Sequence, residues 1–168
     1  MSQSKKYEFP TRTEWRLDSK VGPLHREDGP AVEWDNGTKS WFLNGVRHRE
    51  DGPAYSDKEL DIWYFNGMKH RTNGPAVKSK VDSSEEWWFN DVKHRLDGPA
   101  VISYDIYVWY KEGVMHREDG PAIITPNQRT YYINGEHLSK EEWTLQTRAN
   151  KLEDILELQN ITNMDANK

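Results

Sequence analysis

The sequence predicts a mostly β chain: a single-layer antiparallel array of about five hairpin repeats, an open solenoid, closed by a C-terminal α-helix. Three observations carry this. The heptapeptide His-Arg-x-x-Gly-Pro-Ala occurs five times, starting at His25, His48, His70, His94 and His116, in steps of 23, 22, 24 and 22 residues. A period of that length marks one small supersecondary unit stacked several times. An aromatic pair followed by a tight-turn dipeptide precedes each copy from His48 on. Beyond the last copy the pattern changes to Ser139-Lys140-Glu141-Glu142, a helix capping box.

In chain order, residues 1–23 are expected to form an irregular N-terminal cap around Tyr7, Phe9, Trp15 and Leu17, with a turn at Gly22-Pro23. Residues 24–138 are the repeat array. Its spacing is rigid in one part and slips in another. Trp41, Trp63, Trp87 and Trp109 each lie seven residues before a motif His, and each His lies six before the motif Ala. From each Ala to the next aromatic the distance varies: 10, 9, 11, 9 and 9 residues. A fixed segment joined by one variable stretch is the signature of a hairpin with one free loop. After each Gly-Pro-Ala comes a short strand (Val32-Glu33-Trp34, Val77-Lys78-Ser79, Val101-Ile102-Ser103, Ile123-Ile124-Thr125), then a turn, clearest at Asp35-Asn36-Gly37. The longest turn, Val81-Asp82-Ser83-Ser84, is expected to be the most exposed tip.

The returning strand carries the pairs Trp41-Phe42, Trp63-Tyr64, Trp87-Trp88, Trp109-Tyr110 and Tyr131-Tyr132. It ends in Asn44-Gly45, Asn66-Gly67 and Asn134-Gly135, with Asn90-Asp91 and Glu112-Gly113 as weaker forms. A third corner follows the His-Arg pair. There Gly29, Gly52, Gly74, Gly98 and Gly120 are expected to take backbone angles other residues resist. Pro30, Pro53, Pro75, Pro99 and Pro121 fix φ and launch the next strand. Residues 139–168 form the third region. A helix from about 140 to 159, bent near Asn150, is expected from Trp143, Leu145, Ala149, Leu152, Ile155 and Leu156, with Thr162–Lys168 frayed.

Composition narrows the class. Hydrophobic residues make up 35%, yet there are eight Trp and eight Tyr. That predicts a thin core assembled from aromatic rings. Net charge is −5, from 28 acidic and 23 basic residues mixed along the chain. With no basic tail or stripe, nucleic acid is disfavoured as a partner. There is no Cys, so disulfides and thiolate metal sites are excluded. No signal peptide and no run near the ~20 apolar residues of a membrane span is visible, so the expected location is the cytoplasm.

The segment Trp41-Phe42-Leu43-Asn44-Gly45-Val46-Arg47-His48 resembles the hairpin repeats of the MORN group, over about two thirds of the chain. The Arg-x-Asp-Gly-Pro-Ala extension departs from that group, whose repeats carry a simpler Gly-x-Gly, and is similar to repeat arrays in hypothetical phage and bacterial proteins. The resemblance implies a scaffold, a dimerisation rod or a docking surface. For a phage-encoded chain it implies a host protein partner, such as a defence factor, inhibited or sequestered in the host cytoplasm.

No nucleophile elbow, metal-ligand cluster or phosphate loop is present, so a non-enzymatic chain without cofactor or metal is expected. Zinc ligands converge on a point, whereas stacked repeats set equivalent residues in a line. Each His is therefore expected to fill a fixed slot, and Arg26, Arg49, Arg71, Arg95 and Arg117 to pair with nearby carboxylates. Strand side chains alternate, so the first aromatic row (Trp41, Trp63, Trp87, Trp109 and Tyr131) or its neighbour forms the core. The second row (Phe42, Tyr64, Trp88, Tyr110, Tyr132) is the candidate contact surface where it is exposed; curled hairpins would bury both. Asp82, Ser83 and Ser84 in the odd loop Lys80–Glu86, and the departures at Thr72-Asn73, Asn90-Asp91 and Lys111-Glu112, are further candidates. Three functions stay open: a protein-binding module, a small-ligand or nucleotide binder using aromatic and Arg grooves between repeats, and a dimeric scaffold. The helix either seals the last hairpin or pairs with a second copy.

Overall fold

The computed structural model describes residues 4–165. Thirteen strands form one antiparallel sheet in strict chain order, and eight more form four separate two-stranded ribbons. The chain is a hairpin array with a C-terminal helix, as expected, but each unit contains two hairpins rather than one. In the first complete unit, Val32–Trp34 and Lys39–Ser40 lie in the main sheet, whereas Phe42–Leu43 and Val46–Arg47 form a ribbon beside it. The break falls at Trp41, whose N–H donates to the Ala54 carbonyl at 2.8 Å.

The next motif explains the break. Trp41 donates its N–H to Ala54 of that motif while its carbonyl accepts from His48, so pairing passes from the sheet to the ribbon at this residue. The last unit supplies the control. No sixth Gly-Pro follows, and Arg129–Ile133 runs unbroken through Tyr131, pairing with Glu136–Leu138.

One cross-strand row runs along a face of the sheet: Glu14, Val32, Ser40, Tyr55, Ile62, Val77, Glu86, Val101, Val108, Ile123 and Thr130. Glu14 in this row is buried. Burial alone would push its carboxyl up, but the Arg12 and Arg16 guanidinium groups, at 2.5 and 2.6 Å, hold it below the usual range. The core differs from the aromatic one expected. Ala31, Ala54, Ala76, Ala100 and Ala122 are completely buried, whereas the motif Trp side chains are only half-buried. The units approach closely at alanine because it has the smallest side chain that still covers backbone.

The N-terminal region is not an irregular cap. Lys5–Phe9 and Arg12–Arg16 form a regular hairpin that opens the main sheet, and Trp15 occupies the motif Trp slot, its N–H donating to the Ala31 carbonyl at 2.8 Å. The insertion at Leu17–Pro23 hid this register. At the other end, helix α1 (Lys140–Asp165) is longer than expected and unbroken at Asn150. Thr162 through Asp165 are helical rather than frayed, and Ala166–Lys168 lie outside the described residues. Ser139 and Glu142 form the capping box: Ser139 N–H donates to Glu142 Oε2 at 2.8 Å, and Glu142 N–H to Ser139 Oγ at 3.2 Å. No helix among the described residues is long and apolar enough to cross a membrane.

Candidate functional site

The motif residues assemble one stacked corner per repeat. Each Arg lays its guanidinium on the ring of the preceding motif Trp: Arg26 on Trp15, Arg49 on Trp41, Arg71 on Trp63, Arg95 on Trp87 and Arg117 on Trp109, at 3.8–4.2 Å to the ring centroid. Nη1 donates to the Pro carbonyl of the same motif at 3.2–3.3 Å. Nε donates to Asp28, Asp51, Asp97 or Asp119 at 2.6–2.8 Å, and that hydrogen bond holds each carboxyl below the ordinary Asp range. Arg71 lacks this bond because Asn73 stands in the Asp position.

The glycines are required for a reason other than the one expected. Gly29, Gly52, Gly98 and Gly120 do not have positive φ; Gly74 alone does, at 151°. A Cβ on Gly52 would sit 2.7 Å from Arg49 Cζ, and one on Gly29 2.8 Å from Arg26 Cζ. The guanidinium is clamped between indole and backbone, and at Gly29 and Gly52 an added Cβ would displace it, whereas at Gly74, Gly98 and Gly120 it would press on it at 3.0–3.2 Å.

The histidines tie neighbouring units together. Nδ1 of His25, His94 and His116 accepts the N–H of Asn44, Glu112 and Asn134 in the next tight turn, at 3.0–3.1 Å, and His48 Nδ1 lies 2.9 Å from Asn66 Oδ1 and 3.2 Å from Asn66 N. His70 Nδ1 lies 2.7 Å from Asn90 Oδ1. All five tight turns place both central residues at positive φ, including Asn90 (51°), Asp91 (60°) and Glu112 (51°). Asp91 offsets that strain by accepting the Lys69 N–H at 2.7 Å.

The ribbons carry the two surfaces relevant to recognition. Residues directly opposite across an antiparallel pair share a side. Phe42 faces Arg47, Tyr64 faces Lys69, Trp88 faces Lys93 and Tyr110 faces Met115. This side holds the second aromatic row, and its own cations cover it. Arg47 lies 5.4–5.5 Å from Phe42, Tyr55 and Tyr64, and Lys69 and Lys93 lie 4.4 and 5.0 Å from Trp88. Trp88 Nε1 is spent on Glu86 at 2.8 Å, and Tyr132 packs on His137 at 5.2 Å. All five expected contact residues are half-buried rather than exposed.

The opposite side is the open one. Leu43 pairs with Val46, Phe65 with Met68, Phe89 with Val92 and Lys111 with Val114. Exposure is 43% at Val46, 38% at Phe65, 36% at Met68, 47% at Phe89, 38% at Val92 and 43% at Val114. The ridge is continuous, because Phe65 and Phe89 alternate with His48 and His70 in a ring ladder at 4.7, 5.8 and 4.5 Å. Apolar residues flanking the turn in Phe65-Asn66-Gly67-Met68 and Phe89-Asn90-Asp91-Val92 were the available sequence signal, since residues on either side of a two-residue turn are cross-strand neighbours.

The odd loop is less available than expected. Asp82 Oδ1 accepts the Ser84 N–H at 2.8 Å, which holds that carboxyl low, and Ser84 Oγ bonds Ser103. Ser83 and Val81 alone of the turn are exposed. Between successive motif corners lie open grooves of about 660, 610 and 510 Å³. Their guanidinium groups are engaged internally and the largest is rimmed by Glu27, Asp28, Glu50 and Asp51, a field that opposes anionic ligands such as nucleotides. No protein-family model, curated protein or solved structure matches this chain.

Proposed function

We propose that this chain is a non-enzymatic protein-binding module whose docking surface is the outer ridge of the ribbons, centred on Phe65, Met68, Phe89 and Val92. The observation that carries this reading is the register. Six apolar side chains from four consecutive ribbons lie on one side, each more than a third exposed, next to no charged neighbour of their own side except Lys111. A contiguous exposed apolar patch with aromatic anchors is the composition of a protein interface core. Sequestration or inhibition of a host protein is the form of this activity that the resemblance to phage repeat arrays implies.

The test compares capture of a partner by the parent chain, by Phe65→Glu with Phe89→Glu, and by Trp88→Ala on the covered side. Loss of two aromatic anchors should weaken binding by a factor on the order of 100 or more. Trp88→Ala should leave it within about threefold. Unchanged capture by the doubly charged variant, with a melting curve like the parent's, sinks the assignment of the ridge.

A further inference from the structure

Helix α1 has two faces with different fates. Trp143 lies on Tyr131 at 5.0 Å and donates through Nε1 to the Arg117 carbonyl at 2.9 Å. Thr147 is buried, and Asn150 Nδ2 donates to Glu118 Oε1 at 3.2 Å. The ring of Trp143 thus takes the place, over Tyr131, that a sixth motif Arg would fill. These three residues fall at successive spacings of four and three, one face of the helix. Two residues round the wheel, on the opposite face, stand Leu145, Ala149, Leu152 and Leu156. Leu145, Leu152 and Leu156 are 68%, 62% and 58% exposed, and Ile155, Leu158 and Ile161, exposed at 51%, 65% and 58%, lie on other sides of the helix. From Lys151 to Leu158 every residue is exposed.

We infer that this stripe is the seam of a parallel homodimer, a short two-helix coiled coil with a second copy of the chain. Leu145, Leu152 and Gln159 take d positions and Ala149 and Leu156 take a positions. The docked residues Trp143, Thr147 and Asn150 then fall at b and f, on the outside, so both arrays clear the seam. Arg148 falls at g and Glu153 at e. A five-residue offset from g to e of the partner is the spacing at which parallel coiled coils place opposite charges, and the two-fold axis makes the pair twice. In an antiparallel pair these flanks would not meet. The other acidic residues of this exposed segment, Asp154 and Glu157, lie away from the seam and disfavour an anionic lipid surface as the occupant. The inference is independent of the ribbon ridge.

Light scattering over a concentration series should show the mass rising from the 19.8 kDa of one chain toward twice that value. Leu152→Glu with Leu156→Glu should remain monomeric throughout while keeping the parent's β-array melting transition, since both positions are exposed. Arg148→Glu should weaken the dimer about fivefold or more, and adding Glu153→Arg should restore it. The chain has no native cysteine, so Gln159→Cys supplies one thiol per copy, and oxidation should link equivalent positions across a parallel seam. A strict monomer up to roughly millimolar concentration, a dimer untouched by the two glutamates, or a dimer that Gln159→Cys cannot cross-link would overturn the proposal.

Discussion

Gly52→Ala isolates the geometry of the repeat corner. Gly52 is not in the left-handed region, so its backbone accepts alanine, and the cost must come from the side chain. The new Cβ would lie 2.7 Å from Arg49 Cζ and 3.0 Å from Nε and Nη2, and the guanidinium must move. Moving it forfeits the stack on Trp41, now at 4.2 Å, about 0.5–2 kcal/mol. It also forfeits the charge-assisted bond to the Pro53 carbonyl at 3.3 Å, about 1.5 kcal/mol. Alanine returns about 0.4–1 kcal/mol by restricting the unfolded chain. The loss wins, by roughly 1–3 kcal/mol, which for a chain of this size lowers the melting temperature by roughly 3–10 °C. Circular dichroism melts of Gly52→Ala, Arg49→Ala and the double variant complete a cycle. If the guanidinium is what the Cβ meets, Gly52→Ala costs almost nothing once Arg49 is alanine. Additive losses, or a single variant melting within about 1 °C of the parent, would refute the clamp.

Ser40 is fully buried in the central row between Val32 and Tyr55, and its hydroxyl has no partner, whereas Ile62 and Val108 fill the equivalent slots. Ser40→Ala should therefore stabilise by about 1 kcal/mol in a chemical denaturation curve, and a destabilised variant would show that the hydroxyl is satisfied. Trp143→Ala removes the anchor of α1. It should cost about 2–3 kcal/mol of helix docking, seen as loss of helical ellipticity before the β transition, and a single unchanged transition would contradict it. The Asp–Arg pairs set the acid limb. Asp28, Asp51, Asp97 and Asp119 have folded pKa values below their unfolded ones, so their stabilisation is complete above the unfolded value of about 3.9 and is lost as pH falls through the folded values. Melting temperature should thus be insensitive to these groups at neutral pH and fall below about pH 4, less steeply in Asp51→Asn; an equal slope would remove that pair from the acid limb.

Much of the fold is legible before any coordinates. The period, the strand–turn–strand order and the capping box at Ser139 rest on local chemistry: proline without a donor, Asn-Gly at positive φ, a carboxylate returning to a helix N-terminus. Those constraints act within a few residues, so they survive in the linear text. The repeat corners were legible as conserved spacing within the chain but not as a mechanism, because Arg49 and Gly52 meet only when Trp41, eight residues earlier, closes the sandwich. The Trp15 slot is not legible in the linear sequence for a related reason: an insertion breaks the count while the sheet keeps the register.

The candidate surface divides in the same way. Alternation along a strand assigns Tyr64 and Phe65, or Trp88 and Phe89, to opposite sides, and the sequence determines that much unaided. It does not determine which side faces water. That is decided across the fold, where Lys69 and Lys93 reach over Trp88 and Arg47 over Phe42 and Tyr64, leaving Phe65, Met68, Phe89 and Val92 uncovered. Side-chain direction is a property of two neighbouring residues, whereas exposure is a property of everything that packs around them.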